Sequence, residues 1–205
     1  MDFRSPVQAV IPGAQGKILA VLTRAGEPLN LRTVADLAGV SAGQTSRVLG
    51  RLVRLGLVHR RDVPPIALFR IQEGNLASQF VLQLTQMREL FLERVATLAQ
   101  SIEPPPLNVS IFGSMVRDQA GPDSDIDLLV VRAFGTSSDD DLWAKSLGEF
   151  EHEVETLAGN PVSVIEITEE EIPELVASGS ALWQQLRDEG MLLLGVPLSR
   201  ALEGD

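Results

Sequence analysis

The sequence has no cysteine among its 205 residues. Disulfide bridges and thiolate metal sites are therefore excluded, and a reducing cytoplasm is the expected compartment. It also lacks an apolar run near the roughly 20 residues that a membrane span requires. The first residues, MDFRSPVQAVIPG, carry an acid at Asp2 and a Pro12-Gly13 break, which makes a poor signal peptide. Only two histidines are present, His59 and His152, and they are isolated, so they are read as surface or packing residues rather than metal ligands.

Positive charge is scarce in one part of the chain only. The net charge is -11, but residues 1–75 hold ten basic and five acidic residues, a balance of +5. Residues 76–205 hold seven basic and 23 acidic residues, a balance of -16. Such segregation suggests two modules with different partners, the first able to approach a phosphate backbone.

Within the first module, Ile18, Leu19 and Leu22 lie at helical spacing over 14–25, and Gly26 and Pro28 stop that helix. A short helix over 31–38 is predicted to turn Leu31, Val34, Leu37 and Ala38 inward. After Gly39-Val40, Ser41 to Gln44 reads as a capping box opening a third helix, about 42–55. Val48, Leu49, Leu52 and Leu55 fall on one of its faces; Gln44, Arg47, Arg51 and Arg54 fall on another. This is the helix-turn-helix layout, whose last helix enters the major groove of double-stranded DNA. Residues 57–61 and 66–71 read as two strands around a proline-containing loop. The phrase RLVRLGLVHRR, Arg51 to Arg61, resembles bacterial winged-helix regulators of the MarR and ArsR type, which implies DNA binding through Gln44, Arg47, Arg51 and Arg54.

One long helix is predicted over 76–102, with Leu76, Phe80, Leu84, Met87, Phe91, Val95, Leu98 and Ile102 forming its apolar stripe. It would dock on a domain or pair two chains as a homodimer. Pro104-Pro105-Pro106 end it.

The stretch Ile111 to Val131, IFGSMVRDQAGPDSDIDLLVV, carries the chemistry. An apolar strand runs into Gly113-Ser114 and a short helix to about Gln119. A Gly-Pro-Asp loop and a second apolar strand follow. Asp125 and Asp127, two positions apart on an extended chain, emerge on the same side. Their charges repel unless a cation lies between them, and Mg²⁺ (or Mn²⁺) prefers carboxylate oxygens. Gly113 lets a ligand approach the backbone, Ser114 offers a hydroxyl and an amide to phosphate, and Arg117 offers a positive charge. Further strands are expected at 162–167 and 191–194, with helices over 138–158, 169–178 and 181–189. The acids at 169–171 read as a solvated cap.

Gly113 to Arg117 followed by Ser124 to Val131 resembles the minimal nucleotidyltransferases of the polymerase-beta-like superfamily. The resemblance covers about 107–195. It implies Mg²⁺ on Asp125 and Asp127, an NTP whose phosphates sit on Gly113-Ser114, and transfer of a nucleoside monophosphate to an acceptor. The third carboxylate of that family falls on the 161–167 strand, where the aligned slot holds Ser163. Glu166 is the nearby acid and the remaining candidate for a catalytic role, but it is an odd number of residues away and so points to the opposite face unless a bulge shifts it. Two other readings stay open: a regulator whose second module only binds nucleotide or effector, and an antitoxin-like partner of a toxin.

The expected class is thus α/β (α+β), with no membrane segment. A winged helix-turn-helix (1–75) leads through a connecting helix and proline linker (76–106) to a nucleotidyltransferase-like mixed sheet with flanking helices (107–205).

Overall fold

The computed structural model describes residues 1–198. It divides into two compact units, Arg4–Met87 with Asp2, and the chain from Arg88 on with Met1 and Phe3. Among the described residues no helix is long and apolar enough to cross a membrane.

The first unit runs α1 (Pro6–Val10), α2 (Gly13–Arg24), β1 (Leu29–Asn30), α3 (Leu31–Ala38), α4 (Ala42–Arg54), β2 (Val58–Val63), β3 (Ile66–Ile71) and α5 (Leu76–Leu84). The antiparallel strands lie in the order β1-β3-β2. Local chemistry sets the helix-turn-helix. Asn30 caps α3 by accepting from the Thr33 amide at 3.0 Å, and Gly39 ends it in the left-handed region at φ 60°. Ser41 then caps α4 by accepting from the Gln44 amide at 3.4 Å. Ile18, Leu19, Leu22, Val34, Leu49, Leu52, Phe69 and Val81 pack into one core. Two expected core positions differ. Leu37 is 64% exposed, and Leu55, at the C-cap of α4, is exposed as well.

The helix expected to run unbroken from Leu76 to Ile102 is two helices, α5 and α6 (Met87–Ala99). The break falls at Thr85-Gln86, whose amides bond back three residues, to Leu82 and Gln83, and the Thr85 hydroxyl donates to the Leu82 carbonyl at 2.6 Å. A hydroxyl competing for a helical carbonyl favours a bend, and neither Gly nor Pro announces it. Each half then turns its own face inward. In α5 the buried residues are Ser78 and Val81, while Leu76 and Phe80 are exposed. In α6 they are Phe91, Val95 and Ala99.

The second unit continues with β4 (Asn108–Phe112), β5 (Ile126–Arg132), α7 (Asp141–Ala158), β6 (Val162–Thr168), α8 (Ile172–Ala177), α9 (Ala181–Glu189) and β7 (Met191–Gly195). The sheet is mixed, in the order β6-β5-β4-β7, with only β5 and β6 parallel. β4 is buried throughout, and the interior of β5, Leu128 to Val131, is buried on both faces. Leu129 and Val131 pack with Phe112, Ile172 and Leu186, on the α8–α9 face. Alternation places Asp127 on that same face, at the start of β5.

Candidate functional site

Residues 113–119 do not form the helix expected there. Only Gly113–Met115 closes, as one 3₁₀ turn, followed by a return in which the Gln119 amide donates to the Ser114 carbonyl at 2.8 Å. A three-residue turn brings little dipole, so phosphate would have to be met by side chains.

The turn is pressed against the aspartates. Phe112 pairs with Asp127 across β4–β5. Gly113 follows at φ +73°, and a Cβ built there would lie 2.3 Å from Asp127 Oδ2. Glycine is thus required twice, by the backbone conformation and by the carboxylate. Ser114 Oγ is buried and has no hydrogen-bond partner among the described residues. A buried hydroxyl left unpaired is costly, and Thr45 Oγ1 in α4 shares this condition.

Asp125 is exposed at the end of the Gly121–Ser124 loop, and Asp127 is half-buried. Asn160, itself buried, fixes that loop. Its Nδ2 donates to the carbonyls of Gly121 and Ser124, each at 2.9 Å. The Gly121 amide donates to Ser124 Oγ at 3.0 Å, and the Ile126 amide to the Pro161 carbonyl at 2.8 Å. Burial pushes the Asp127 carboxyl above the ordinary aspartate range, the charge of Asp125 adds to this, and Arg117 opposes it.

Arg117 is held at the rim. Its Nε donates to Gln119 Oε1 at 3.3 Å, and its Nη1 forms an ion pair with Glu189 at the end of α9. β7 starts at Met191 opposite Ile111, which brings Glu189 alongside the turn. Glu189 and Asn160 carry no sequence motif; their roles appear only through the sheet order.

On the other flank, Ser163 pairs in register with Asp127 along the parallel β5–β6 ladder and is exposed. Glu166 is not brought to the aspartates. It sits beside Val130, accepts from Trp143 Nε1 of α7 at 2.8 Å, and lies 2.8 Å from Arg132 Nε as an ion pair. Among the described residues, no group of three or more His, Cys, Asp and Glu side chains comes together as a metal cluster. Two carboxylates beside an unpaired hydroxyl fit an ion that keeps its remaining positions for phosphate and water, as Mg²⁺ does.

In the first unit, α4 buries Thr45, Leu49 and Leu52 and exposes Gln44, Arg47, Arg51 and Arg54 on one stripe. A cleft beside it, reaching the β2–β3 hairpin, is lined by Arg32, Arg54 and Arg60. Arg60 is paired with Asp62 at 2.7 Å, and Arg61 and Arg70 are exposed on the hairpin. These hairpin cations extend the basic surface beyond the four α4 residues that the sequence pattern singles out.

A family model described as "MarR family" matches residues 11–65, and one described as "Nucleotidyltransferase domain" matches residues 91–181. No curated protein matches the chain. Among solved structures, the chain is similar to one described as a toxin-antitoxin with AMP-PNP, at 19% identity over 54% of this chain and 78% of that one, TM-score 0.38. It is similar to RV1404 from Mycobacterium tuberculosis at 24% identity over 50% of this chain and 70% of that one, TM-score 0.35. It is also similar to TrmBL2, an archaeal chromatin protein, at 18% identity over 80% of this chain and 68% of that one, TM-score 0.29. The chain joins, in that order, a MarR-family winged-helix domain and a nucleotidyltransferase domain.

Proposed function

We propose that this is a DNA-binding protein whose second unit binds a Mg²⁺-nucleoside triphosphate and transfers its nucleoside monophosphate to an acceptor hydroxyl or phosphate, the acceptor oxygen bonding to the α-phosphorus as the α–β phosphoanhydride breaks and pyrophosphate leaves. The observation that carries the reading is the packing of Gly113 on Asp127 beside the unpaired Ser114 hydroxyl. Asp125 and Asp127 would hold the cation, which would supply Lewis-acid stabilisation of phosphate charge. Ser114 Oγ would donate to a phosphate oxygen, and Arg117 would neutralise the polyphosphate. Gly113 lets the chain approach without a Cβ in the way. Gln44, Arg47, Arg51 and Arg54 would meet the DNA.

Labelled ATP, CTP, GTP and UTP with Mg²⁺ or Mn²⁺, offered protein and small-molecule acceptors, test transfer. Label moving to an acceptor, and lost in Asp125→Ala and Asp127→Ala, is the expected result. No labelled product with any combination counts against transfer.

A second reading has its own support. Ser163 occupies the position beside Asp127 where a third carboxylate would stand, and serine is a poor base at neutral pH. Glu166 is engaged with Trp143 and Arg132. The second unit would then bind nucleotide without turnover and act on the DNA-binding unit. Calorimetry showing AMP-PNP binding without turnover, together with a nucleotide-dependent change in DNA affinity, supports it; absence of nucleotide binding sinks both readings. Ser163→Asp separates them, because a gain of transfer in that variant identifies the missing acid as the limit.

A further inference from the structure

The turn that carries Gly113 and Ser114 is too short to hold itself. Its last carbonyls lack the following helical turn that would satisfy them. They are met instead by one side chain from outside the segment matched as a nucleotidyltransferase domain. Arg88 Nε donates to the Met115 carbonyl at 2.9 Å, and its Nη2 donates to the Val116 carbonyl at 3.1 Å. The same Nε lies 3.0 Å from Asp118 Oδ1. Asp118 stands at φ +57°, in the left-handed region that is uncommon for non-glycine residues and is entered most often by Asn and Asp. The Arg88 side chain is only 18% exposed. Its planar fork therefore reaches two successive carbonyls and a carboxylate at once, which the single ammonium of lysine does not match.

We infer that Arg88 is the positioning residue of the phosphate seat, clamping the Gly113–Asp118 turn so that Ser114 Oγ and Arg117 face the triphosphate. The inference rests on the nucleotide reading for its consequence, but the clamp itself is independent of it. Arg88 touches no ligand in this scheme; it acts through the turn. It is also the first residue of the second unit, two positions after the Thr85-Gln86 break. The clamp therefore belongs to the first turn of α6, where the chain leaves the winged-helix unit.

The experiment uses the full chain with Arg88→Met, which keeps length and removes the donors, and Arg88→Lys, which keeps one point donor. Hydrogen exchange is followed without nucleotide at the amides of Val116, Arg117 and Gln119, which bond within the turn. Affinity for AMP-PNP with Mg²⁺ is measured by calorimetry. In Arg88→Met, exchange at those three amides is expected to rise about tenfold or more, while the amides of β5 and α7 stay protected. AMP-PNP affinity is expected to fall by about 10- to 100-fold, as a displacement near 1 Å implies, with Arg88→Lys intermediate in both measurements. Unchanged exchange in the turn overturns the inference. So does a uniform loss of protection across the unit, which would mark a general structural role. Wild-type protein that binds no AMP-PNP would defeat the nucleotide reading and remove the consequence for affinity, while the exchange measurement would still decide whether Arg88 holds the turn.

Discussion

Replacing Gly113 by alanine perturbs the site with a single methyl group. The new Cβ would stand 2.3 Å from Asp127 Oδ2 and 3.2 Å from its Cγ. Ordinary contact needs about 1 Å more, so the carboxylate must rotate away, at about 0.5–1.5 kcal/mol for leaving its rotamer. Alanine at φ +73° adds about 1–2 kcal/mol of backbone strain. The sum is about 1.5–3.5 kcal/mol, enough to measure and small enough, against a stability of about 5–15 kcal/mol, to leave the unit folded. Both tryptophans, Trp143 and Trp183, lie in the second unit, so denaturant unfolding followed by their fluorescence reports on that unit alone. The double variant with Asp127→Ala separates the two costs. Without the carboxylate the clash disappears and only the strain remains, so a coupling of about 0.5–1.5 kcal/mol is expected. Gly148→Ala is the control: it lies inside α7 with nothing within 4 Å of the new Cβ, and it should stabilise by about 0.5–1 kcal/mol. An unfolding midpoint of Gly113→Ala equal to wild type would refute the argument. Strict additivity with Asp127→Ala would refute its steric half.

Asp127 carries a folded-state pKa raised by burial and by Asp125, so its ionised form weakens the native state above that pKa, and the penalty fades as pH falls through it. Asp127→Asn, unfolded with a chelator present, should therefore be more stable than wild type at neutral pH, with the gap closing on acidification; a gap that widens would reverse the sign. Asn160→Ala leaves the Gly121 and Ser124 carbonyls without their buried donor, and a loss of about 2–3 kcal/mol is expected by the same fluorescence assay. Arg51→Ala should weaken DNA binding at low salt and reduce the slope of log affinity against log salt by about one, as loss of one phosphate contact does. Fluorescence anisotropy over a salt series measures it, and an unchanged slope would mean that Arg51 reads a base or makes no contact.

How far the sequence reaches depends on whether a residue's partner is local. The helix-turn-helix was legible because Ser41, Gly39 and the leucines of α4 act within a few residues of themselves. The strand that carries Asp127 and starts just after Asp125 was legible because its apolar run is continuous, and period-two alternation already separated Ser163 from Glu166. What escaped depends on tertiary contact. The break at Thr85-Gln86 needs two separate cores that claim the two halves of one apolar stripe, so Leu76 and Phe80 met the periodicity and yet stand exposed. The helix expected over 113–119 stops after one turn, and the carbonyls left at its end are met by Arg88, distant in sequence. Asn160 stands before a proline in a turn, and nothing near it in sequence shows that it would be buried under the aspartate loop.

The charge segregation that first separated the two units bears on how a nucleotide would enter the second. An acidic unit with seven basic and 23 acidic residues repels a polyphosphate at long range, but that field is screened beyond about 8 Å at physiological salt. Inside that distance the balance is set by few groups. Arg117 is paired with Glu189 and only partly offsets the charges of Asp125 and Asp127 facing the seat. A polyphosphate without a metal would meet both of them. One divalent cation on the two carboxylates would offset their charge and relieve the Asp125 repulsion that adds to burial in raising the Asp127 pKa. On the proposed function, then, the cation is what admits the nucleotide, while Ser114 and Arg117 orient it once there. The scarcity of positive charge in this unit argues for metal-dependent binding rather than against phosphate.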